Sequence, residues 1–238
     1  MNDNSFNYSD QVGLFSPNNV PTVHIIGAGG ATNAALVCLA TMGVFDIHVY
    51  DPDILERHNG AGEPMYSYSD IGRLKVDAAV NTVRFLRGGN DEVQIVPHCE
   101  FVDERYSFDG IVISGVDSME SRRKIWAAIK NEESLVPLYV DLRSAGTSLT
   151  VLIVDPYNER DVAIYESTWM YDDKEAIQEE CGARNIPVIA FDAARLVGHI
   201  IMCYANGSLR KSYYRSDEGI DLSSYYVEQE PFFATPSK

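Results

Sequence analysis

Cations are scarce in this chain: 19 lysines and arginines face 35 aspartates and glutamates, a formal net charge of −16. So anionic a surface repels nucleic acid and anionic membranes, and neither is an expected partner. Cysteine is equally thin. Cys38, Cys99, Cys181 and Cys203 are scattered without a CxxC pair, so neither a disulfide framework nor a structural zinc is expected. The histidines (His24, His48, His58, His98, His199) show no ligand spacing. No apolar run approaches the ~18 residues that span a bilayer; "VHII", "IVISGV" and "LTVLIV" are strand-sized. The opening "MNDNSFNYSDQ" has neither the basic nor the apolar region of a signal peptide, so the expected location is a reducing cytoplasm.

What is present is the composition of a folded globule: 238 residues, 45% hydrophobic and 11% aromatic. That length suits one large α/β domain. A polar arm is expected at 1–20, a domain at 21–210 and an aperiodic Tyr/Ser/acid-rich tail at 211–238. Strand-like runs alternate with helix-period segments, among them "DIGRLKVDAAVNTVRFL" with its stripe Leu74, Val76, Ala79, Val80, Val83 and Leu86. "VAIYE" reads as a further strand, and "PVIAFDAARLVGHIIMCYANG" as a long helix ended by Asn206-Gly207. Asp117, with Glu120 three residues on, reads as the N-cap of a helix. This rhythm predicts a Rossmann-like, mostly parallel sheet with helices on both faces and an antiparallel extension in the C-terminal half. Ligands of such sheets sit at the carboxyl ends of the strands.

Gly27, Gly29 and Gly30 follow a strand and open a helix, the context of a phosphate-binding turn. Thr32 stands where a G-x-G-x-x-G pattern has its third glycine. Asp51 ends the next strand, where an acid can bind ribose hydroxyls. NAD and ATP both use such a turn, and the turn alone does not choose.

Four motifs in order resemble one family. They are G-x-G-G at Gly27–Gly30, D-x-D-x-[VI]-x-x-x-N at Asp51–Asn59, D-I-G-x-x-K at Asp70–Lys75 and D-[NS]-x-x-x-R at Asp117–Arg122. They resemble the ThiF/MoeB-like adenylyltransferases, the bacterial branch of the ubiquitin-activating-enzyme superfamily. The resemblance implies ATP–Mg²⁺ as cofactor and adenylation of the C-terminal Gly-Gly carboxylate of a small ubiquitin-like or sulfur-carrier protein, usually by a homodimer. It implies that Gly27, Gly29, Gly30, Asp51 and Asp53 belong to the nucleotide site, with Asp51 on the ribose. Asn59 and Lys75 would contact phosphates, and Asp117 would organise Mg²⁺.

The sequence departs from the family pattern N-[LF]-x-R-Q, reading "NGAGE": Gly62 stands at the arginine position and Glu63 at the glutamine. Asp10 stands at a second, N-terminal arginine position. Arg57 and Arg73 lie nearby and are candidate substitutes. Cys181, in "EECGARNIP", falls about where relatives carry an adduct-forming cysteine, although its two neighbouring glutamates disfavour the thiolate. Two further readings stay open: a catalytically reduced homologue that binds nucleotide or partner, and an NAD-dependent oxidoreductase, for which "DIGRLK" has no role.

Overall fold

Five short strands, β1 (Val23–Ile26), β2 (Asp46–Tyr50), β3 (Gln94–His98), β4 (Ile111–Ser114) and β5 (Tyr139–Ala145), lie parallel in the order β3-β2-β1-β4-β5. The computed structural model describes residues 8–87, 93–145, 148–171 and 186–209, with the backbone of two later strands at 212–216 and 228–231. Beyond β5 the sheet turns antiparallel through β6 (Ser148–Val154), β7 (Ser212–Ser216) and β8 (Glu228–Pro231). The last two come from the stretch expected to be a tail, so the sheet continues past position 210.

The parallel strands are apolar on both faces because helices cover both. In β1, Val23 and Ile25 join a core shared with α1 (Gly30–Met42), α2 (Lys75–Leu86) and α5 (Pro187–Ala205). Ile26 faces the opposite core, with Trp126 of α3 (Met119–Ile129), Tyr139 and Tyr165. The α2 stripe behaves as its period predicts: Val76, Ala79, Val80 and Val83 are buried, although Leu86 at the helix end is exposed. By length and hydropathy α5 matches a membrane span, yet it buries Ile189, Ala193, Leu196, Val197 and Ile201 within the core. It lies so close to α1 that a Cβ on Gly198 would meet the Cys38 sulfur at 2.9 Å.

Two local expectations are corrected. "VAIYE" is not a strand: Glu159–Ile164 forms α4 and runs into a π-turn at Tyr165–Trp169. The Asn158 side chain accepts from the amides of Arg160 and Asp161, and this cap starts a helix despite the β-prone residues. The N-cap of α3 is Ser118, not Asp117; its hydroxyl accepts from the Ser121 amide at 3.1 Å.

Candidate functional site

The site begins at the turn after β1. Gly27 has φ +90°, a conformation that favours glycine. Its amide donates to Tyr50 O at 2.8 Å, and a Cβ there would lie 2.8 Å from Gly115 O. Thr32, in place of the third glycine, is accommodated by a glycine just beyond β4: a Cβ on Gly115 would meet Thr32 Cγ2 at 2.4 Å. The small residue that tight helix–strand packing requires is therefore present on the other side of the contact. Gly29 caps α1 without any side-chain hydrogen bond, and nothing lies within 4 Å of its Cβ position. The N-terminus of α1, with the positive end of its helix dipole, therefore stands at this turn. A phosphate fits such a cradle.

Asp51, at the end of β2, is buried and clamps this turn. Its Oδ2 accepts from the Ala28 amide at 2.7 Å and its Oδ1 from the Asp53 amide at 2.8 Å. Burial pushes the Asp51 carboxyl up from its ordinary range, while the two amides and Lys75 pull it back in part.

Lys75, the first residue of α2, completes the group. Its Nζ lies 3.4 Å from Glu63 Oε1 and 3.6 Å from Asp53 Oδ2. Burial alone would lower its pKa, but Glu63, Asp51 and Asp53 outweigh that and hold the ammonium charged. The Tyr66 hydroxyl is 2.6 Å from Ala28 O and 3.2 Å from Lys75 O, joining the glycine turn to the start of α2. Asn59 is turned inward within its 3-10 turn, Arg57–Ala61, where its Oδ1 accepts from the Glu56 amide and its Nδ2 donates to Glu63 at 3.1 Å. The end of this turn presses on α1: a Cβ on Gly30 would lie 2.3 Å from Gly62 O.

Asp117 is exposed just beyond β4, released from capping by Ser118. Its neighbour Val116 abuts the glycine turn, 3.5 Å from the Cβ position of Gly27. Arg122 anchors this loop from below, donating to Val116 O and, at 2.9 Å, to Asp141.

The sheet edge therefore gathers Gly27, Gly29, Gly30, Asp51, Asp53, Asn59 and Lys75, with Asp117 beside them. The two candidate arginines diverge. Arg57 is exposed at the start of the turn that presses on α1. Arg73 lines a separate cavity of about 330 Å³ with Asp77, Asn81, Arg84 and Pro97, which contains none of the glycine-turn set. Cys181 lies outside the described residues. Sequence reasoning missed the pairing of Glu63 with Lys75; the signal was Glu63's place in the motif that leads to the lysine. It also missed Asp141 on β5, whose carboxylate is fully buried among Arg122, Arg143, Ser114 and Tyr165.

The model of the ThiF family matches residues 18–219. The Nedd8-activating enzyme E1 catalytic subunit of Drosophila melanogaster is 34% identical over 107 residues, covering 43% of this chain and 23% of that protein. The SAMP-activating enzyme E1 of Haloferax volcanii is 33% identical over 95 residues, covering 40% of this chain and 33% of that one. The chain thus aligns with about a quarter to a third of the length of these curated relatives. A crystal structure of E. coli MccB with ATP superposes with a TM-score of 0.64 at 15% identity, covering 92% of this chain and 67% of the other.

Proposed function

The chain belongs to the ThiF family, and from that premise we propose that it is an ATP-dependent adenylyltransferase. Its second substrate is the C-terminal carboxylate of a small ubiquitin-like or sulfur-carrier protein ending in Gly-Gly. The observation that carries the reading is the convergence of the α1 N-terminus, the clamped Asp51 and the buried Lys75 at one sheet edge. In this reaction a carboxylate oxygen bonds to the α-phosphorus and pyrophosphate leaves. Bringing a carboxylate to a triphosphate gathers negative charge, and Lys75 with the α1 amides offsets it in a partly dehydrated site. Asp51 holds the turn in shape and offers its remaining lone pairs to the ribose. Asp117, exposed beside the turn, would hold Mg²⁺, which shields the phosphates and orients them. The family pattern further supports a homodimer and the replacement of the phosphate arginine by Gly62.

A catalytically reduced homologue is the second reading, and the engagement of Lys75 by Glu63 favours it. Calorimetric titration with ATP–Mg²⁺ and with NAD tests the nucleotide assignment. ATP should bind and NAD should not. Lys75→Ala should weaken ATP by about tenfold or more, whereas Lys124→Ala, at an exposed pair with Glu120, should leave it unchanged. NAD binding without an ATP signal would reject the assignment.

A further inference from the structure

Glu63 is buried, and only one of its carboxylate oxygens is used. Oε1 accepts from Asn59 Nδ2 at 3.1 Å and faces Lys75 Nζ at 3.4 Å, while Oε2 is closed to solvent without a hydrogen-bond partner among the described residues. Its Cα lies 3.6 Å from the Cβ position of Gly30, so the residue stands against the first turn of α1. Glu63 thus engages the lysine from a backbone position packed against the helix N-terminus, the two features that would hold a phosphate. We propose that Glu63 is an internal competitor for the phosphate site, a carboxylate whose pairing with Lys75 an incoming nucleotide must break before its phosphates can be held. The inference rests on the nucleotide reading above and adds a specificity-determining residue to it.

The charges around the pair explain why the competition is strong. Lys75 faces Glu63 from α2, Asp51 and Asp53 face it from the end of β2, and Tyr66 packs alongside. One ammonium therefore serves three carboxylates before any phosphate arrives. An ammonium in a partly dehydrated site cannot satisfy a buried carboxylate and a phosphate equally, because whichever anion loses it is left desolvated and unpaired. The balance depends on protonation. Burial raises the Glu63 pKa and Asp51 raises it further, against the opposing pull of Lys75. As pH falls the carboxyl becomes neutral, the pair weakens and Lys75 is released toward phosphate. Nucleotide affinity should therefore rise as the pH falls, and this part of the rise should depend on Glu63.

The test is calorimetric binding of ATP–Mg²⁺ to the full chain and to Glu63→Gln, at about pH 7.5 and about pH 5.5. Glutamine keeps the shape and the bond from Asn59 but removes the charge. ATP's own protonation is common to both proteins and cancels in their ratio. Glu63→Gln should bind about tenfold tighter at the higher pH, and the ratio should be smaller at the lower. Equal affinities at both pH values would overturn the inference and leave the nucleotide site standing. Weaker binding by Glu63→Gln would also overturn it, by making Glu63 a ligand. Absence of ATP binding in both proteins at both pH values would overturn the nucleotide reading itself. A urea midpoint for each protein separates these outcomes from misfolding, and Glu63→Ala, which removes the carboxylate altogether, should reproduce the tightening if glutamine does not fold.

Discussion

Arg122 Nη1 stands 2.9 Å from Asp141 Oδ1, and the same carboxylate receives Arg143 Nε at 2.8 Å and the Tyr165 hydroxyl at 3.0 Å. One fully buried carboxylate thus holds two guanidinium groups, one of which anchors the loop that presents Asp117. Breaking a buried pair by neutralising one side leaves uncompensated charge. Asp141→Asn keeps the shape and should lower unfolding free energy by about 3 kcal/mol, measured by urea denaturation. Asp103→Asn, whose partner Arg105 is exposed, should leave it almost unchanged. A neutral result at Asp141 would show that the cluster is not coupled to stability.

Gly29 offers a separation of folding from binding. Its φ of −76° is open to any L-residue and its Cβ direction is empty, so Gly29→Ala should leave the thermal midpoint almost unchanged. The added methyl would stand before the α1 amides, where a phosphate approaches. ATP affinity should fall about tenfold or more by calorimetry. Gly30→Ala should behave differently, because its methyl would collide with Gly62 O and disturb the fold as well. If Gly29→Ala binds ATP normally, the phosphates do not sit at this helix end.

How much of this was legible in the sequence differs by element. The strand–turn–helix at Gly27–Gly30 was readable because backbone geometry there admits few residues, and motif order located Asp51 and Lys75 on the same edge. The α4 segment was not, because "VAIYE" carries strand-prone residues and the outcome is set by the Asn158 cap upstream. At α3 both Asp117 and Ser118 are cap-forming residue types, and only the backbone conformation distinguishes them. Asp141 lies mid-strand, where alternation predicts an apolar residue or a solvent-facing one, and its partners arrive from α3 and the π-turn. The strands β7 and β8 lack a period of their own; β7 is defined by pairing with the distant β6.

His24 makes stability depend on pH with a definite sign. Burial lowers its pKa from 6.5 to about 4, against the opposing hydrogen bond that the ring donates to the Asp109 carbonyl. Between these values the unfolded chain binds more protons than the folded one, so stability is full above about pH 6.5 and falls as the pH drops toward 4. The loss attributable to this group is about 3 kcal/mol. His24→Gln retains hydrogen-bonding capacity toward the Tyr50 hydroxyl and Asp109 O without titrating. Its urea midpoint should fall less than the wild type's over that interval. Parallel losses in both proteins would assign the effect to other groups, including the neighbouring His98, whose pKa burial also lowers.

The leaving pyrophosphate needs a cation to offset its charge. Arg57 and Arg73 lie in the same segment, but the fold gives them different surroundings. Arg73 sits 4.0 Å from Asp70, and its carbonyl accepts from the Leu55 amide. It also lines the separate cavity with Arg84, which includes none of the glycine-turn residues. Arg57 is exposed, has no ion pair among the described residues, and begins the short turn whose other end presses on Gly30. Its long side chain is therefore free to reach toward the mouth of the site, and a planar guanidinium can grip phosphate oxygens from more than one direction. An arginine at a transferring phosphoryl group contributes roughly 10³–10⁵ in rate. A displaced substitute on an exposed turn should give less. Arg57→Ala should lower ATP–pyrophosphate exchange with a Gly-Gly carrier by about tenfold or more, and Arg73→Ala by no more than about threefold. Equal losses would mean that the loop rearranges on binding, and loss in neither would refute the substitution. No exchange by the wild type with carrier bound would establish the reduced homologue, since Lys75 alone would then be too little charge for the transfer.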